Sequence, residues 1–465
     1  MSAAFDGWVL PPGVLPARVS FAQAHGVRHP LLDPESARSL MDSLRTARED
    51  ALLRSSAAER ARVLGRAGAR FLDRSDPLRR EAEEHVPATA DLSLEMSRAV
   101  IDGMARDWTG DRLLQLLATD LPHPAALDRF VPSAGTGRVR GVAPALCFHV
   151  GAGTVPGVSA TSMLRSLLVG SATLLKPGLG DVVLPVLLAR AIAEESPTMA
   201  AALAVLYWSG GSDDHAESAA LAAADTVVAY GSDATMRSLL DRMPADTPLI
   251  AYHHRIGVAL VGRDALVERE LDGVADELAH AVGMFDQRGC VSPHAVFVEQ
   301  GGEVGAGELA AALARALARF HAALPPTPPS PALASNVHQL RRTAELRRAS
   351  GEAVEVYAAQ ASGWTVLLEP HDAIEPSGPG RTVRIHPIED AAQLPTLLAP
   401  IAHHLQTVGV AGLGERLENV ARMLGGVGAT RICPLSEVAF PPPWWHHDGK
   451  GPLSVLLRWV DLEGD

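Results

Sequence analysis

Cysteine is scarce in this sequence. Its 465 residues include three cysteines, Cys147, Cys290 and Cys433, which are too few for a disulfide framework and favour a reducing compartment. Long apolar runs are also missing. No stretch approaches the roughly 18 to 20 consecutive apolar residues that a membrane-spanning helix needs, and Arg165 and Lys176 interrupt the best candidate. We therefore expect a soluble chain with thiols, no disulfides and no membrane span.

Basic side chains are fewer than acidic ones. The sequence has 41 lysines and arginines against 54 aspartates and glutamates, a formal net charge of −13. This balance disfavours binding of the whole chain to nucleic acid or to an anionic membrane. Residues 1–12 contain Asp6 and two prolines, where a secretory signal would have a basic end and an apolar core. We therefore expect a cytoplasmic location.

The composition is that of a globular protein. Hydrophobic residues make up 47% and charged residues 20% of a chain that is long enough for two or three compact units. The first third is predicted to be helical. Asp33-Pro34 reads as an N-cap followed by proline, and Ser56-x-x-Glu59 as a capping box. Further helix is expected from about residue 92 to residue 108.

From Gly135 onward, apolar runs of strand length alternate with helical runs. The alternating segments are 142–150, 158–169, 172–175, 182–193, 226–230 and 233–243. Crossovers of this kind build a parallel sheet that is covered by helices on both faces. We predict an α/β fold with a doubly wound nucleotide-binding unit, against which the helical N-terminus packs.

A second unit is predicted to begin near Arg255. Strands are expected at 256–261, 294–299 and 405–410, and helices at 266–284 and 308–323. A proline-rich segment, 325–329, ends the second of these helices. The chain finishes with the apolar run 453–460, which needs a sheet to join. We therefore expect a homo-oligomer.

Cys290 has a sequence context that the other two cysteines lack. Cys147 lies in an apolar strand and Cys433 in a short strand-like run, so both are expected to be core residues. Cys290 stands in the polar turn DQRGCVSPH (286–294). The glycine before it lets main-chain amides approach an atom bound to the sulfur, and Arg288 favours the thiolate. These features suit a covalent nucleophile, and a plain loop cysteine is the alternative.

Glycines follow three of the predicted strands. GAGTVPG (151–157) has the position of a phosphate-binding turn, although proline stands where the dinucleotide fingerprint has its third glycine. Lys176 in LLKPG (174–178) ends the next strand at the carboxyl edge of the sheet, where ligands collect. Gly231-Ser232 could present amides to a pyrophosphate. The alternatives are a simple tight turn, a solvated lysine and a helix N-cap at Ser232 or Asp233.

Three adjacent histidine pairs, 253–254, 403–404 and 446–447, do not indicate a metal site. Adjacent side chains point to opposite faces of a strand and lie about 100° apart on a helix. Neighbouring histidines therefore rarely share an ion, and we predict no metal.

Together these segments closely resemble the acyl-CoA reductase family that supplies aldehyde in bacterial bioluminescence, a branch of the aldehyde dehydrogenase superfamily. The matching stretches occur in family order over most of the chain. They are FHVGAGTVPG (148–157), LLKPG (174–178), VVAYGSDAT (227–235), YHHRIG (252–257), FDQRGCVSPH (285–294), LQTVGV (405–410) and PPPWWHHDG (441–449). The resemblance implies an aldehyde dehydrogenase-like fold in three parts. These are a helical region with the NAD(P)-binding domain at 1–255, a catalytic domain at 256–440 and a C-terminal oligomerisation segment at 441–465.

The resemblance also implies a reaction and a cofactor. Cys290 would attack a fatty acyl thioester, the thiol of CoA or of an acyl carrier would leave, and a reduced nicotinamide would convert the acyl-enzyme to a thiohemiacetal that releases the aldehyde. Lys176, Gly178, Gly231 and Ser232 fall where the superfamily binds the adenosine ribose and the pyrophosphate. The sequence does not distinguish CoA from a carrier protein, because both present the same pantetheine arm.

Three departures from the superfamily pattern bear on the chemistry. Thr154 stands where an asparagine usually serves as an oxyanion donor, and loss of one such donor costs roughly 3 kcal/mol. The glutamate that activates water in oxidising relatives is absent, so an acyl-enzyme would survive to be reduced. His254, near that point, is the candidate to assist thiolate formation or to protonate a leaving group, with a structural role as the alternative. No acid directly follows LLKPG (174–178), which favours NADPH over NADH.

We therefore predict an acyl-thioester reductase that uses NADPH and makes an aldehyde. An oxidative NAD(P)-dependent aldehyde dehydrogenase is one alternative. It needs a base for deacylation, and Glu375 is the best candidate among the remaining acidic residues. A non-catalytic acyl-binding partner that retains the fold is the other. The resemblance further implies association with acyl-transferring or acyl-activating enzymes.

Overall fold

The computed structural model describes residues 4–14, 20–133, 137–209, 215–360, 363–370, 377–378 and 380–464. The chain forms two compact units. One comprises Met1–His253 and Pro442–Asp465, and the other comprises His254–Pro441. Among the described helices, none combines the length and the apolar character that crossing a bilayer requires.

The predicted helices of the first third are present. They are α1 (Pro34–Arg48), α2 (Ala57–Ala69), α3 (Pro77–Ala90), α4 (Leu94–Arg106) and α5 (Gly110–Asp120). Asp33 caps α1 by accepting a hydrogen bond from the Ser36 amide at 2.7 Å. Ser56 and Glu59 form the predicted capping box at the start of α2. These local signals identified both helix starts correctly.

Short strands also lie in this third, and the sequence analysis missed them. They are β1 (Phe5–Asp6), β2 (Trp8–Val9), β3 (Ser20–Ala24), β4 (Val27–Leu31), β5 (Val131–Pro132) and β6 (Arg138–Val142). β3 and β4 form a hairpin whose two turn residues, His25 and Gly26, both have positive φ, as tight two-residue turns require. Strands of two to five residues are too short to show a clear alternation of side chains.

The doubly wound sheet of the first unit is confirmed. Its further strands are β7 (Leu146–Val150), β8 (Ala172–Lys176), β9 (Leu203–Leu206), β10 (Thr226–Tyr230) and β11 (Leu249–Tyr252). The helices are α6 (Val158–Val169), α7 (Val183–Glu195), α8 (Pro197–Ala200), α9 (His215–Ala223) and α10 (Asp233–Leu240). The strand order is β11-β10-β7-β8-β9-β2. The connections reverse direction at β7, so the carboxyl end of β7 is a switch point at which such sheets bind ligands.

The predicted strand at 142–150 is two strands in different sheets. β6 ends at Val142 and β7 begins at Leu146. Pro144 lies between them and has no amide hydrogen to give to a sheet, so a continuous strand is interrupted there.

The second unit is built on a mixed, mostly parallel sheet. Its strands are β12 (Ile256–Val261), β13 (Pro293–Glu299), β14 (Glu355–Ala358), β15 (Thr365–Leu368), β16 (Thr382–Ile388), β17 (Leu405–Ala411) and β18 (Arg431–Pro434). The helices are α11 (Leu271–Gly283), α12 (Ala306–Ala323), α13 (Pro331–Ala349), α14 (Leu394–Leu398) and α15 (Leu417–Val427). The strand order is β14-β15-β16-β13-β12-β17-β18. Ala259 and Val261 pack on the α11–α12 side, and Val258 and Leu260 pack on the α14–α15 side. Burial on both faces explains the continuous apolar run of β12.

The C-terminal segment is anchored inside the first unit. The last strand, β19 (Arg458–Leu462), pairs antiparallel with β6 in the three-stranded sheet β19-β6-β5. Asp120 accepts hydrogen bonds from the amides of Leu453 (2.6 Å) and Ser454 (2.7 Å). The apolar run 453–460 thus finds its sheet within its own chain. The expectation that it needs another subunit for this purpose was wrong.

Candidate active site

The turn before β13 has an unusual backbone. α11 ends at Gly283, and Phe285, Asp286 and Gln287 then have φ angles of 56°, 51° and 62°. Residues other than glycine seldom adopt this left-handed conformation because it is strained. It persists only where contacts with the surrounding structure enforce it. The sequence analysis predicted a polar turn here but not this strained geometry. The segment 285–292, which contains Cys290, is called the cysteine turn below.

Gln287 holds the cysteine turn from the inside. Its side chain is buried, and its amide nitrogen donates to the carbonyls of Pro293 (2.9 Å) and Thr382 (2.6 Å). Its amide oxygen accepts from the Thr382 amide at 2.7 Å. Residues 293 and 382 begin the neighbouring strands β13 and β16. One side chain therefore ties the cysteine turn to two strands.

A buried ion pair provides a second anchor. One carboxylate oxygen of Asp286 accepts from Nε (3.0 Å) and Nη2 (2.6 Å) of Arg381. Arg381 is 1% exposed and also donates to the Leu324 carbonyl at 2.6 Å. Its guanidinium lies 5.1 Å from the ring centroid of Phe320. The charge of Arg381 is thus compensated in the interior, and the backbone of Asp286 is fixed.

The three cysteines have different surroundings. All are thiols; Cys290 is partly exposed, whereas Cys147 and Cys433 are buried. Burial raises the pKa of Cys147 to about 12 and that of Cys433 to about 11. Because the thiolate is the nucleophilic form, the two buried cysteines are unsuited to covalent chemistry at neutral pH. The geometry therefore favours Cys290 as the candidate nucleophile.

The cysteine turn lies across the amino end of β12. The Gly257 amide donates to the Ser292 carbonyl at 3.2 Å, and a Cβ atom on Gly257 would collide with the Val291 carbonyl oxygen. Glycine is required at this position because the two backbones touch. The Ser292 amide donates to the Gly289 carbonyl at 3.0 Å and closes the turn around Cys290.

Two histidines of the second unit interact with one another. His254 is exposed in the segment that leads into β12. Burial, reinforced by the charge of His254, lowers the pKa of His294 to about 4. The Ser377 hydroxyl donates to the Thr382 carbonyl at 2.5 Å, so it accepts from Nδ1 of His294 at 3.1 Å. Nε2 of His294 is then the unprotonated nitrogen. His294 has no distinguishing signal in the sequence, since its burial arises only in the fold.

In the first unit, the turns after β7 and β8 meet at the carboxyl edge of the sheet. The Gly151 amide donates to the Lys176 carbonyl at 2.8 Å. A Cβ atom on Gly178 would lie 2.5 Å from the Cα atom of Gly153, so the two turns touch through glycine backbones. Lys176 is 9% exposed. The alternative of a solvated lysine at this strand end is therefore wrong.

A buried carboxylate fixes the start of α6. Asp181 is 1% exposed and accepts hydrogen bonds from the amides of Gly157 (2.5 Å) and Ser159 (2.6 Å). Burial raises the pKa of Asp181 to about 7, although both hydrogen bonds act in the opposite direction. Gly157 has a φ of 99°, which requires glycine. Thr154, in the same turn, is exposed.

Ser232 is the N-cap of α10. Its hydroxyl accepts from the Thr235 amide at 3.3 Å. The Gly231 amide donates to the Tyr252 carbonyl at 3.1 Å, so this amide is already used within the sheet. The Gly231 amide is therefore not available to a pyrophosphate, and the amides of the first turn of α10 are the ones that point along the helix axis.

The sheet edge and the cysteine turn belong to different compact units. Thr154, Lys176, Gly178, Gly231 and Ser232 lie in the first unit. The two remaining predicted site residues, His254 and Cys290, lie in the second. Glu375, the candidate base for an oxidative aldehyde dehydrogenase, is outside the described residues. Within the described part of the chain, no group of three or more histidine, cysteine or acidic side chains is arranged to hold a metal ion.

We expect Gln287→Met to loosen the cysteine turn. Methionine has a similar size but leaves two carbonyls and one amide without their buried partner, which costs about 2 kcal/mol. The apparent free energy of unfolding, measured in urea, should fall by that amount, and alkylation of Cys290 should change rate. Gln393 is the matched control, because its side chain is bound to the Glu389 amide at an exposed site. Equal effects of Gln287→Met and Gln393→Met would contradict this role.

Comparison with known proteins identifies the family. The sequence profile of the LuxC acyl-CoA reductase family matches residues 62–459. This chain belongs to the LuxC family. Long-chain acyl-protein thioester reductase 2 of Photobacterium leiognathi is 21% identical to it over 361 residues, which are 76% of this chain and 70% of that protein. The long-chain acyl-protein thioester reductase of Aliivibrio fischeri is 21% identical over 360 residues, with the same two coverages.

Solved structures show the fold of this LuxC-family chain to be that of aldehyde dehydrogenases. An NADP-dependent glyceraldehyde-3-phosphate dehydrogenase from Bacillus halodurans superposes with a TM-score of 0.71 at 13% identity, covering 98% of each chain. An NAD-dependent benzaldehyde dehydrogenase from Corynebacterium glutamicum superposes with a TM-score of 0.69 at 17% identity, covering 99% of each chain. The predicted fold class and the predicted family are therefore both confirmed.

Proposed function

We propose that this LuxC-family protein reduces a fatty acyl thioester, carried by CoA or by an acyl carrier, to the aldehyde with NADPH. The observation that supports this proposal most directly is the setting of Cys290. It is a partly exposed thiol in a strained turn, and buried contacts from Gln287 and Asp286 fix that turn. Positioning of this kind is what a covalent nucleophile needs.

The proposed chemistry begins at Sγ of Cys290. The thiolate forms a bond to the thioester carbonyl carbon, and the bond to the thiol of CoA or of the carrier breaks, leaving an acyl-enzyme. The main-chain amide of Cys290 is proposed to donate to the carbonyl oxygen. A reduced nicotinamide, when bound, would supply the hydride that reduces the acyl-enzyme to the thiohemiacetal. Cys290 then leaves as the thiohemiacetal collapses to aldehyde.

His254 is proposed to hold or deliver a proton for these steps. His254 is exposed. Its main-chain carbonyl accepts a hydrogen bond from Nδ1 of His404 at 3.3 Å, which fixes the backbone, and the imidazole ring of His254 takes no part in this bond. His294 is buried and mostly neutral at pH 7, because its pKa lies near 4. The exposed position of His254 suits an exchange of protons with the leaving thiol or with water better than the buried position of His294.

The first unit fits a nicotinamide dinucleotide. Lys176 places a mostly buried cation at the carboxyl end of β8. The turns at Gly153 and Gly178 touch through their backbones, and there is no room for a side chain at Gly178. The N-terminus of α10, next to Gly231 and Ser232, adds a positive helix end. We propose that these residues hold the ribose and the phosphates.

NADPH is the proposed form of the cofactor. Leu179, which is partly exposed, directly follows the Lys176-Pro177-Gly178 turn, so no carboxylate stands there to bind a ribose 2′-hydroxyl. The next acid along the chain, Asp181, is buried and faces the amides at the start of α6. The residues that directly follow the turn therefore offer a 2′-phosphate no accessible carboxylate.

We expect Leu179→Glu to reverse this preference. A carboxylate at this position would accept hydrogen bonds from ribose hydroxyls and repel a 2′-phosphate. The ratio of kcat/KM for NADPH to kcat/KM for NADH should fall about tenfold or more, corresponding to about 1.4 kcal/mol. Leu179→Gln is the neutral control and should change the ratio much less. An unchanged ratio in Leu179→Glu would show that the 2′-position is bound elsewhere.

Intact mass measurement tests the proposed function. The full chain, incubated with a long-chain acyl-CoA, should gain the mass of one acyl group on Cys290 and lose it when NADPH is added, with release of aldehyde. Oxidation of aldehyde with NADP but no reduction of acyl-CoA would instead support the oxidative alternative. Absence of both reactions and of the adduct would support a binding protein.

A further inference from the structure

A buried arginine lies beside the cysteine turn. Arg431 is the first residue of β18 and is 8% exposed. Its guanidinium donates to the carbonyls of Val438 (3.0 Å) and Glu437 (2.6 Å), which fix its position. Arginine is rarely buried to this extent unless its charge is balanced by other groups.

The strand register brings Arg431 and the cysteine turn to one level of the sheet. Arg431 pairs with Thr407 on β17, Thr407 pairs with Gly257 on β12, and Gly257 pairs with Pro293 on β13. Gly257 contributes no side chain, and the cysteine turn crosses its backbone. At β12, backbone of the cysteine turn therefore takes the place of a side chain in the row from β18 to β13.

The groups along this row favour a negative charge. Arg431 interacts electrostatically with Cys290, Cys433 and Glu437. The hydroxyls of Thr407 and Ser292, both buried, have no hydrogen-bond partner among the described residues. A fixed cation and hydroxyls that can still donate are groups that stabilise a nearby negative charge.

We propose that Arg431 stabilises the thiolate of Cys290 and so sets the pH range in which this cysteine reacts. The inference rests on the proposed function, because it assumes that Cys290 is the nucleophile. On ionisation, the Sγ proton passes to solvent and the negative charge stays on sulfur, within reach of the field of the guanidinium. Burial of Arg431 weakens the competing interaction of its guanidinium with water and strengthens the attraction between guanidinium and thiolate.

Other charged and titratable groups of the second unit bear on Cys290 as well. They are Arg288 and Asp286 in the cysteine turn, His294 on β13, His254 before β12, and Cys433 and Glu437 on and after β18. Arg288 is a weaker candidate than Arg431. Its Nε donates to the Phe285 carbonyl at 3.2 Å, and its Nη2 lies 3.9 Å from the Asp286 carboxylate, which offsets its charge. Cys433 is protonated at neutral pH, and Glu437 is exposed.

The experiment is the pH profile of iodoacetamide alkylation of Cys290, followed on the full chain by peptide mass. R431Q retains a donor for the two carbonyls but lacks the charge. In R431Q the midpoint of the pH profile of Cys290 alkylation should rise by about one pH unit or more, and the alkylation rate at pH 7 should fall about tenfold. R431K keeps the charge and should keep the midpoint within about 0.3 unit of the unsubstituted protein.

A matched control comes from α13. Arg341 is partly buried and donates to the Thr365 hydroxyl and to the carbonyls of Ala359 and Trp364, so R341Q should leave the midpoint unchanged. R431M serves as a second uncharged variant if R431Q does not fold, with circular dichroism as the check. An unchanged midpoint in a folded uncharged variant would overturn the proposal. Aldehyde formation by Cys290→Ala would instead overturn the proposed function, since the alkylation profile does not depend on turnover.

Discussion

Cys290→Ala is expected to abolish aldehyde formation from acyl-CoA and NADPH, with a loss in kcat/KM of at least about a thousandfold. Without the thiolate no acyl-enzyme can form, and the remaining site can only bind its ligands. The absorbance of the reduced nicotinamide, followed with time, measures the loss. Intact mass should show no acyl adduct on the variant. Cys290→Ser should retain a small fraction of the activity at most, because a hydroxyl is a poorer nucleophile and a poorer leaving group.

Cys147→Ala is the control for this prediction. Cys147 is buried in β7 and has a pKa raised by burial, so its removal should leave the reaction rate within about twofold of the unsubstituted protein. Full activity in Cys290→Ala, or equal losses in the two variants, would show that another group carries the acyl chain.

Arg416→Met is expected to lower the apparent free energy of unfolding by about 3 kcal/mol at pH 7. Glu299, at the end of β13, has a fully buried side chain that accepts from Nη1 (2.8 Å) and Nη2 (2.7 Å) of Arg416 and from the amides of Arg263 (3.1 Å) and Ala391 (2.9 Å). Burial opposes ionisation of Glu299, but these hydrogen bonds outweigh it and lower its pKa from 4.5 to about 2. Removing Arg416 leaves this buried carboxylate poorly compensated.

The effect of Arg416→Met should depend on pH with a defined sign. Since the folded protein holds Glu299 at the lower pKa, its contribution to stability is complete above pH 4.5 and is lost as the pH falls toward 2. The difference in unfolding free energy between the two proteins should therefore shrink below pH 4.5, as measured by urea denaturation at several pH values.

Arg422→Met is the matched control for this prediction. Arg422 pairs with Glu418 at 3.0 Å on the exposed face of α15, and such pairs contribute less than about 1 kcal/mol. A loss that is equally small in Arg416→Met, or independent of pH, would contradict the assigned role of Glu299.

The glycine turns show which structural features the local sequence pattern can predict and which it cannot. GAGTVPG (151–157) was placed between a strand and a helix, and the structure has β7 before it and α6 after it. The direction of the Gly231 amide was missed, because its partner, the Tyr252 carbonyl, lies on the next strand of the sheet. The role of Asp181 was missed for the same reason, since it accepts from the amide of Gly157, 24 residues earlier, just before α6.

Periodicity, helix caps and glycine positions act over a few residues. The amino-acid order was therefore enough to predict the strand-helix alternation, the helix starts and the polar surroundings of Cys290. The contacts that shape the cysteine turn join residues far apart in the chain: Gln287 and Asp286 bind residues 95 positions later. The field of Arg431 on Cys290 likewise depends on strand register. Such pairings have no local signature, because burial and sheet order, which arise when the chain packs, determine which distant groups meet.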